Sequence, residues 1–351
     1  MSHLSLNRSD PFLRLHHSSD GAPLSRVVFH PLRGDILIVA SESHVEALLI
    51  QTSASPPRLS AQRLAIWQLN GHITAIDVAP WSNLDSLEVT VATLTPNLFR
   101  LRWSLFEGYS TTPMGEGMVS STIHEIKYAR AGGVQAARTV ASVGDQGALL
   151  LWDVAAESPG LLKLIPHPFP LRTLCFHPTN ASLIVTGDAK GMLRLINLDD
   201  GSTRMCLFEP RSLARSIRGD LVCLDWNTAA ASAGVPTTRI GAVIDGRWAL
   251  WDLSESSGGG PSAFGSAFSE HLAGRAVFRW SPHDPKIFAV LCSHPSASPA
   301  LTLHNVSCPQ APRPVNIAPP PLQAMDMCWS PTEDIVAVVV DRDVLLYSAT
   351  D

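Results

Sequence analysis

The chain carries thirteen histidines and six cysteines, enough ligands and nucleophiles for a metal centre or a thiol–imidazole pair. Their spacing supports neither. No C-x-x-C, no H-E-x-x-H and no clustered Cys/His run occurs, whereas zinc sites need such ligands at short, fixed intervals. Cys175, Cys206, Cys223, Cys292, Cys308 and Cys328 are scattered, and four of them lie in apolar strand-like runs. That pattern fits reduced structural thiols in an intracellular compartment. A G-x-S-x-G elbow, a P-loop and a G-x-G-x-x-G turn are also absent. The stretch "SSGGGPSAFGS" (256–266) lacks the Lys-Ser/Thr that would turn its glycines into a phosphate cradle.

Two sets of polar residues recur at regular places. His30-Pro31, His177-Pro178 and His283 in "SPHDP" each follow a strand-like run. Asp145, Asp188 and Asp245 each sit in a tight turn, within "VGDQG", "TGDAKG" and "VIDGR". Paired in a cleft, such carboxylates would do acid–base work. Recurring with a fixed period, they read instead as turn and cap residues, because Asp and Gly supply a local hydrogen bond and a positive φ. No catalytic, cofactor-binding or metal-binding residue is assigned, no cofactor is expected, and the chain reads as a non-enzyme.

The period belongs to the elements that carry these turns. A strand-like run recurs as "RVVFHP", "ITAIDVAP", "IHEIKYAR", "LRTLCFHP", "LVCLDWN", "RAVFRWSP" and "AMDMCWSP", anchored by Phe29, Val78, Tyr128, Phe176, Trp226, Trp280 and Trp329. The anchors are 49, 50, 48, 50, 54 and 49 residues apart. A second apolar run follows each, then a polar turn, then a third run such as "ALLLWDV" (148–154) or "RWALWDL" (247–253). The Trp position of the third run is filled in turn by Ile50, Trp103, Trp152, Ile196, Trp251, His304 and Tyr347. Fourth runs are visible as "RLAIWQL", "LLKLIPH", "TRMCLF" and "RPVNIA".

Four strands in each of seven units predict an all-β, seven-bladed β-propeller of degenerate WD repeats. It forms one domain over 1–351, with blades starting near 26, 73, 123, 171, 221, 275 and 324. The seventh unit has only three runs, so the segment "PFLRLHH" (11–17) is expected to close the last blade and remove its open edge. Gly-His survives only at 71–72, and Trp-Asp only at 152–153 and 251–252. The polar network of a regular repeat is therefore mostly missing, and the blades must rely on apolar burial.

Composition agrees with a packed β protein: 45% hydrophobic, 16% charged, net charge −5. No run of basic residues supports direct nucleic-acid binding; Arg100 and Arg102 in "FRLRW" read as the wet face of a strand. No apolar run reaches membrane-spanning length, and the first residues lack a signal-peptide core.

What remains for function is surface. Three segments read as insertions between units: 106–121, the basic 208–220, and 254–272; each is either a partner contact or simply unordered. Aromatics and arginines dominate interface energies, so Trp81, Trp248, Arg211, Arg215 and Arg218 are the candidate partner-binding residues. The alternative for each tryptophan is packing between blades, and for the arginines a solvated loop.

The strings "APWSNLDSLEV" (79–89), "VASVGDQGALLLWDV" (140–154), "IGAVIDGRWALWDLSES" (240–256), "GRAVFRWSPHDPKIFAV" (274–290) and "MCWSPTEDIVAVVVDRDVLLY" (327–347) resemble, in the same order, the small WD-repeat nucleoporin of the Y-shaped outer-ring complex. That resemblance implies a structural subunit of the nuclear pore complex, in the nuclear envelope, with an indirect part in nucleocytoplasmic transport of protein and mRNA. It also implies a monomeric subunit of a hetero-oligomer. The implied partner is the large propeller-plus-solenoid nucleoporin of the short arm, with the other Y-complex subunits bound indirectly. The fold alone also permits a different WD-repeat scaffold, in a coat, on chromatin or in a ubiquitin ligase.

Overall fold

The computed structural model describes residues 13–16, 21–54, 57–131, 138–209, 222–229, 238–254, 259–267, 275–294, 297–317 and 322–349. These residues build seven four-stranded antiparallel sheets. Leu13–His16 (β1) comes first in the chain. Blade 1 comprises Arg26–His30 (β2), Arg33–Ala40 (β3), His44–Ala54 (β4) and Pro57–Gln68 (β5). Blade 2 comprises Ile73–Val78 (β6), Ser86–Thr93 (β7), Leu98–Ser104 (β8) and Gly108–Met114 (β9). Blade 3 comprises Ile123–Tyr128 (β10), Thr139–Gly144 (β11), Ala148–Asp153 (β12) and Gly160–Pro166 (β13). Blade 4 comprises Leu171–Phe176 (β14), Leu183–Asp188 (β15), Leu193–Asn197 (β16) and Thr203–Leu207 (β17). Blade 5 comprises Val222–Trp226 (β18), Arg239–Ile244 (β19), Arg247–Asp252 (β20) and Ala263–Ser266 (β21). Blade 6 comprises Arg275–Trp280 (β22), Ile287–His294 (β23), Ala297–Asn305 (β24) and Arg313–Asn316 (β25). Ala324–Trp329 (β26), Ile335–Val340 (β27) and Asp343–Ser348 (β28) belong to blade 7.

The expected closure is observed. β1 pairs antiparallel with β28, Leu13 opposite Leu346 and His16 opposite Asp343, so blade 7 takes its fourth strand from the beginning of the chain. Arg14 Nε lies 3.0 Å from Asp343. The core is a ring of seven wedges, one in each gap between blades. The wedge between blades 7 and 1, built from residues such as Val27, Phe29, Leu37, Val339 and Leu346, is as apolar as the others and seals the circle. Middle strands read as unbroken apolar runs because both of their faces are covered by neighbouring blades.

Two of the expected insertions contain fourth strands. β9 lies within 106–121 and β21 within 254–272. Both are outermost strands with little burial demand: β9 is mostly exposed, and β21 is four residues long. The third-strand series also needs two corrections. The ladder runs Phe29–Leu37–Leu48 in blade 1 and Val78–Val89–Leu101 in blade 2. In blade 3 the same path is Tyr128–Val140–Trp152. Leu48 and Leu101, not Ile50 and Trp103, therefore hold the Trp position. They are buried where the latter are only half-buried. A two-residue offset keeps the side chain on the same face, which is why spacing alone misplaces it.

The blades are not held by apolar burial alone. Carboxylates on the inner strands reach across to the backbone of the next blade. Asp77 Oδ2 accepts the Tyr128 amide at 2.7 Å, and Glu125 Oε2 accepts Leu174 N at 3.1 Å. Asp225 Oδ2 accepts Trp280 N at 2.8 Å, and Asp326 Oδ2 accepts Val27 N at 3.2 Å. Thr173 Oγ1 accepts Leu224 N at 3.4 Å and Ser293 Oγ accepts Ala324 N at 3.0 Å. Inner-strand amides on the side facing a neighbour have no ladder partner, so each acceptor satisfies a donor that burial would otherwise strand.

Arg100 departs from its sequence reading as well. It is 2% exposed and crosses into blade 3, donating to the carbonyls of Val154, Ala156 and Glu157 at 2.8, 2.6 and 2.5 Å. Only Arg102 keeps the wet position, paired with Glu88 at 2.6 Å.

The recurrent turn residues do what the period implied. His30 Nδ1 accepts Leu32 N at 3.1 Å while Nε2 donates to Ser82 O at 2.7 Å. His177 Nδ1 accepts Thr179 N and Asn180 N, both at 3.1 Å. Asp188 accepts Lys190 N and Met192 N and pairs with Arg194. Asp245 and Gly246 take φ of 49° and 74° between paired Ile244 and Arg247, a two-residue loop with both φ positive.

Candidate protein interaction surface

In an antiparallel meander, connections alternate between the two ends of the strands. The turns after first and third strands gather on one face of the propeller, and those after second and fourth strands on the other. Most exposed large apolar side chains of blades 1 and 2 fall on the first face. Leu32 lies in the β2–β3 turn and Trp81 in the β6–β7 turn, 40% exposed. Leu105 and Phe106 form the β8–β9 turn, 62% and 88% exposed, and Tyr109 follows at the start of β9. A β-turn needs polar or φ-permissive residues; a Leu-Phe pair held in water has no folding reason to be there.

A groove runs beside this turn, lined by Trp81, Glu88, Arg102, Trp103, Glu107 and Tyr109, with a volume of about 250 Å³. Its walls are fixed from behind. Trp81 meets buried Tyr128 edge-on at 5.4 Å, and Tyr109 meets Trp67 edge-on at 6.0 Å. Trp67 Nε1 donates to Arg102 O at 3.2 Å. The Arg102–Glu88 pair closes one wall through Glu88 Oε2, leaving Oε1 with no donor among the described residues. The aromatic edges are thus pre-positioned, which lowers the entropy cost of binding.

Of the five candidate residues, Trp81 is on this surface. Trp248 is 1% exposed and packs between blades 5 and 6, with ring centroids 5.4 Å from Phe288 and from His304. Its indole lies over Gly265, where a Cβ would collide with it. It is a packing residue in this structure. Arg211, Arg215 and Arg218 lie outside the described residues. Phe106 and Tyr109 fall inside the 106–121 insertion reading and Leu105 at the end of a strand-like run, which is why the sequence does not single them out; two adjacent large apolar residues ahead of Glu-Gly are the available signal.

The central channel is a second concave feature among the described residues. Its cavity of about 490 Å³ is lined by inner-strand residues including Arg26, Glu125, Lys127, Arg275, Arg279 and Asp326. Burial works against the charge of Arg279, yet Cys223, Glu125, Asp225 and Asp326 together hold its pKa well above the ordinary value. Burial raises the Asp225 carboxyl. Burial also pushes the Cys292 thiol up to about 12 and raises those of Cys175, Cys223 and Cys328, so these sulfurs are poor nucleophiles. Among the described residues no group of three or more His, Cys, Asp or Glu is placed to hold a metal ion, and no helix is long and apolar enough to cross a membrane.

No family model matches the chain. It is 33% identical over 116 residues to protein transport protein sec31 of Emericella nidulans, across 31% of this chain and 8% of that protein. Over 154 residues it is 23% identical to protein transport protein SEC31 of Chaetomium globosum, across 43% of this chain and 11% of that protein. The sec31 of Aspergillus oryzae is 27% identical over 121 residues, across 32% of this chain and 9% of its own length. The match thus spans about a tenth of each relative. These similarities overturn the expected nuclear-pore location, since they point to protein transport proteins and not to a nucleoporin. The reason is physical. Strings such as "RWALWDL" and "AVFRWS" are filled by Trp248, Trp251, Val277, Phe278 and Trp280, all buried, so they record blade packing more than the place where the blade works. The chain is a seven-bladed WD-type β-propeller with partial similarity to protein transport protein sec31.

Proposed function

We propose that this chain is a non-enzymatic WD-repeat scaffold of a protein-transport coat, and that it docks a partner protein through the aromatic face of blade 2. The observation that carries the reading is the exposed Trp81 and Tyr109 lining one groove, with exposed Leu105 and Phe106 in the adjoining β8–β9 turn. Contiguous apolar exposure rimmed by charge marks interaction sites, and rigid aromatics supply most hot-spot energy. The groove takes an apolar side chain, and Glu88 and Glu107 beside it favour a cation on the partner. Similarity to protein transport protein sec31 supports the coat class.

The test is affinity purification of the tagged chain and of a Trp81→Ala/Phe106→Asp variant, with mass spectrometry of what is retained. Protein-transport coat subunits should accompany the native chain and be depleted with the variant. Retention of the same subunits by the variant would contradict the docking face. Recovery of a large propeller-plus-solenoid nucleoporin, the partner implied by the resemblance, would contradict the coat reading.

A further inference from the structure

The charge in the central channel has no role in docking on blade 2. Five cationic side chains line the cavity, Arg26, Lys127, Arg172, Arg275 and Arg279, against the carboxylates Glu125 and Asp326, in a chain whose net charge is −5. Most are committed. Lys127 pairs with Glu125 at 3.4 Å, and Arg172 is held by Asp145 and His124. Arg279 donates to Phe278 O at 2.9 Å and to Cys223 Sγ at 3.0 Å. Asp326 is occupied by the amides of Val27 and Met327. Two arginines are left over. Among the described residues, Arg26 donates from Nη1 only to the adjacent Ser25 carbonyl, at 2.8 Å. Arg275 makes no hydrogen bond or ion pair among the described residues.

Position reinforces charge. Arg26 and Arg275 begin β2 and β22, and His124 and Arg172 lie at the bulges near the starts of β10 and β14. A bulge re-aims a side chain, and here both bulged residues line the same cavity. All four belong to the end where inner strands begin, the face opposite the blade 2 aromatics. Burial and neighbouring Arg26 depress the pKa of Arg275 to about 10, so holding both arginines charged has a cost that a bound anion would relieve.

We infer that this mouth of the channel is a binding site for a small multivalent phosphate-bearing anion, gripped by Arg26 and Arg275. Planar guanidinium groups match phosphate oxygens through paired N–H donors. A positive cleft with low-dielectric walls concentrates such anions, and the cavity has the volume of a small-ligand site.

The probe is inorganic tripolyphosphate at constant ionic strength, followed by titration calorimetry and thermal melting of the full chain. Saturable one-to-one binding and a raised Tm are expected. Arg275→Gln should weaken binding by about tenfold or more, the loss of charge-assisted hydrogen bonds, and Arg26→Gln/Arg275→Gln should abolish it. Exposed Arg63→Gln on blade 1 should leave it unchanged. Without the probe, the double variant should melt at or above the native temperature, since a like-charge contact is removed. Absence of saturable binding, equal affinity in the double variant, or a double variant that melts lower or fails to fold would overturn the proposal, the last by making the arginines structural.

Discussion

The two faces of the ring differ in what they leave unfinished. On the face of the first and third turns, blade 2 exposes aromatic and apolar side chains whose backs are packed. On the opposite face, the channel mouth holds arginines whose neighbouring carboxylates have their hydrogen bonds committed elsewhere. The first rests mainly on the outer strands β8 and β9 and the second on the inner strands, and neither is needed to close the ring. Folding is carried by the seven apolar wedges and the carboxylate clamps between them, leaving each face to carry side chains that folding does not require.

The largest expected effect separates two tryptophans on these terms. Trp248→Ala should destabilise the fold by about 3–5 kcal/mol, as for a large core side chain, while partner binding by the folded fraction persists. Trp81→Ala should barely move the melting temperature. Denaturant unfolding with a pull-down on the same samples checks both; binding lost at full stability in Trp248→Ala would break the comparison. Next come the clamps. Asp326→Ala should cost about 2–4 kcal/mol, because it strands the Val27 amide and removes a counter-charge near Arg279. Hydrogen exchange should then rise first at the blade 7–blade 1 seam, and uniform exchange around the ring would argue that the wedges alone hold it.

On the docking face, Phe106→Asp should reduce partner affinity by about 2 kcal/mol or more, some thirtyfold. A quantitative binding assay checks this, and a change confined to Tm would argue against docking.

The smallest effect is acid sensitivity. His30, His177 and His304 are held below the ordinary imidazole value chiefly by burial, and His167 is lowered to about 4 for the same reason. The native state keeps these rings neutral where the unfolded chain protonates them. Their contribution is complete above about pH 6.5 and is lost as pH falls below it, down to about 4 for His167. Asp225, raised by burial, works in the opposite sense. Comparing the native chain with His167→Leu isolates the histidine: the variant should lose less stability between pH 6.5 and 4, and identical slopes would contradict this.

How much could be read beforehand follows from burial. Inner strands are legible because a large apolar anchor, aromatic in every blade but the second, recurs wherever a wedge is filled, and the spacing from Phe29 through Val78 to Trp329 counts the blades. The Asp turns were legible because a two-residue loop restricts φ. Outer strands make no such demand. "GYSTTPM" buries only Met114 fully, "AFGS" is four residues long, and Gly265 is there to admit Trp248. The clamps were visible as lone acids within apolar runs, Asp77 in "ITAIDV" and Asp225 in "VCLDW", but an acid in an edge-like strand reads equally as a wet position. Arg100 and Arg102 show the same ambiguity: identical type, spacing and face, and only the crossing to blade 3 decides which is buried. Phe106 lies within 106–121, which reads as an insertion because its strand, β9, buries so little.

The most direct test of the docking claim is site-specific photo-crosslinking in the native cell, with a photoreactive residue at position 106 and a control at exposed Leu162 on β13 of blade 3. The account predicts a discrete adduct from 106 to a subunit of a protein-transport coat and none from 162. Equal labelling from both positions, or an adduct from 162 alone, would contradict it.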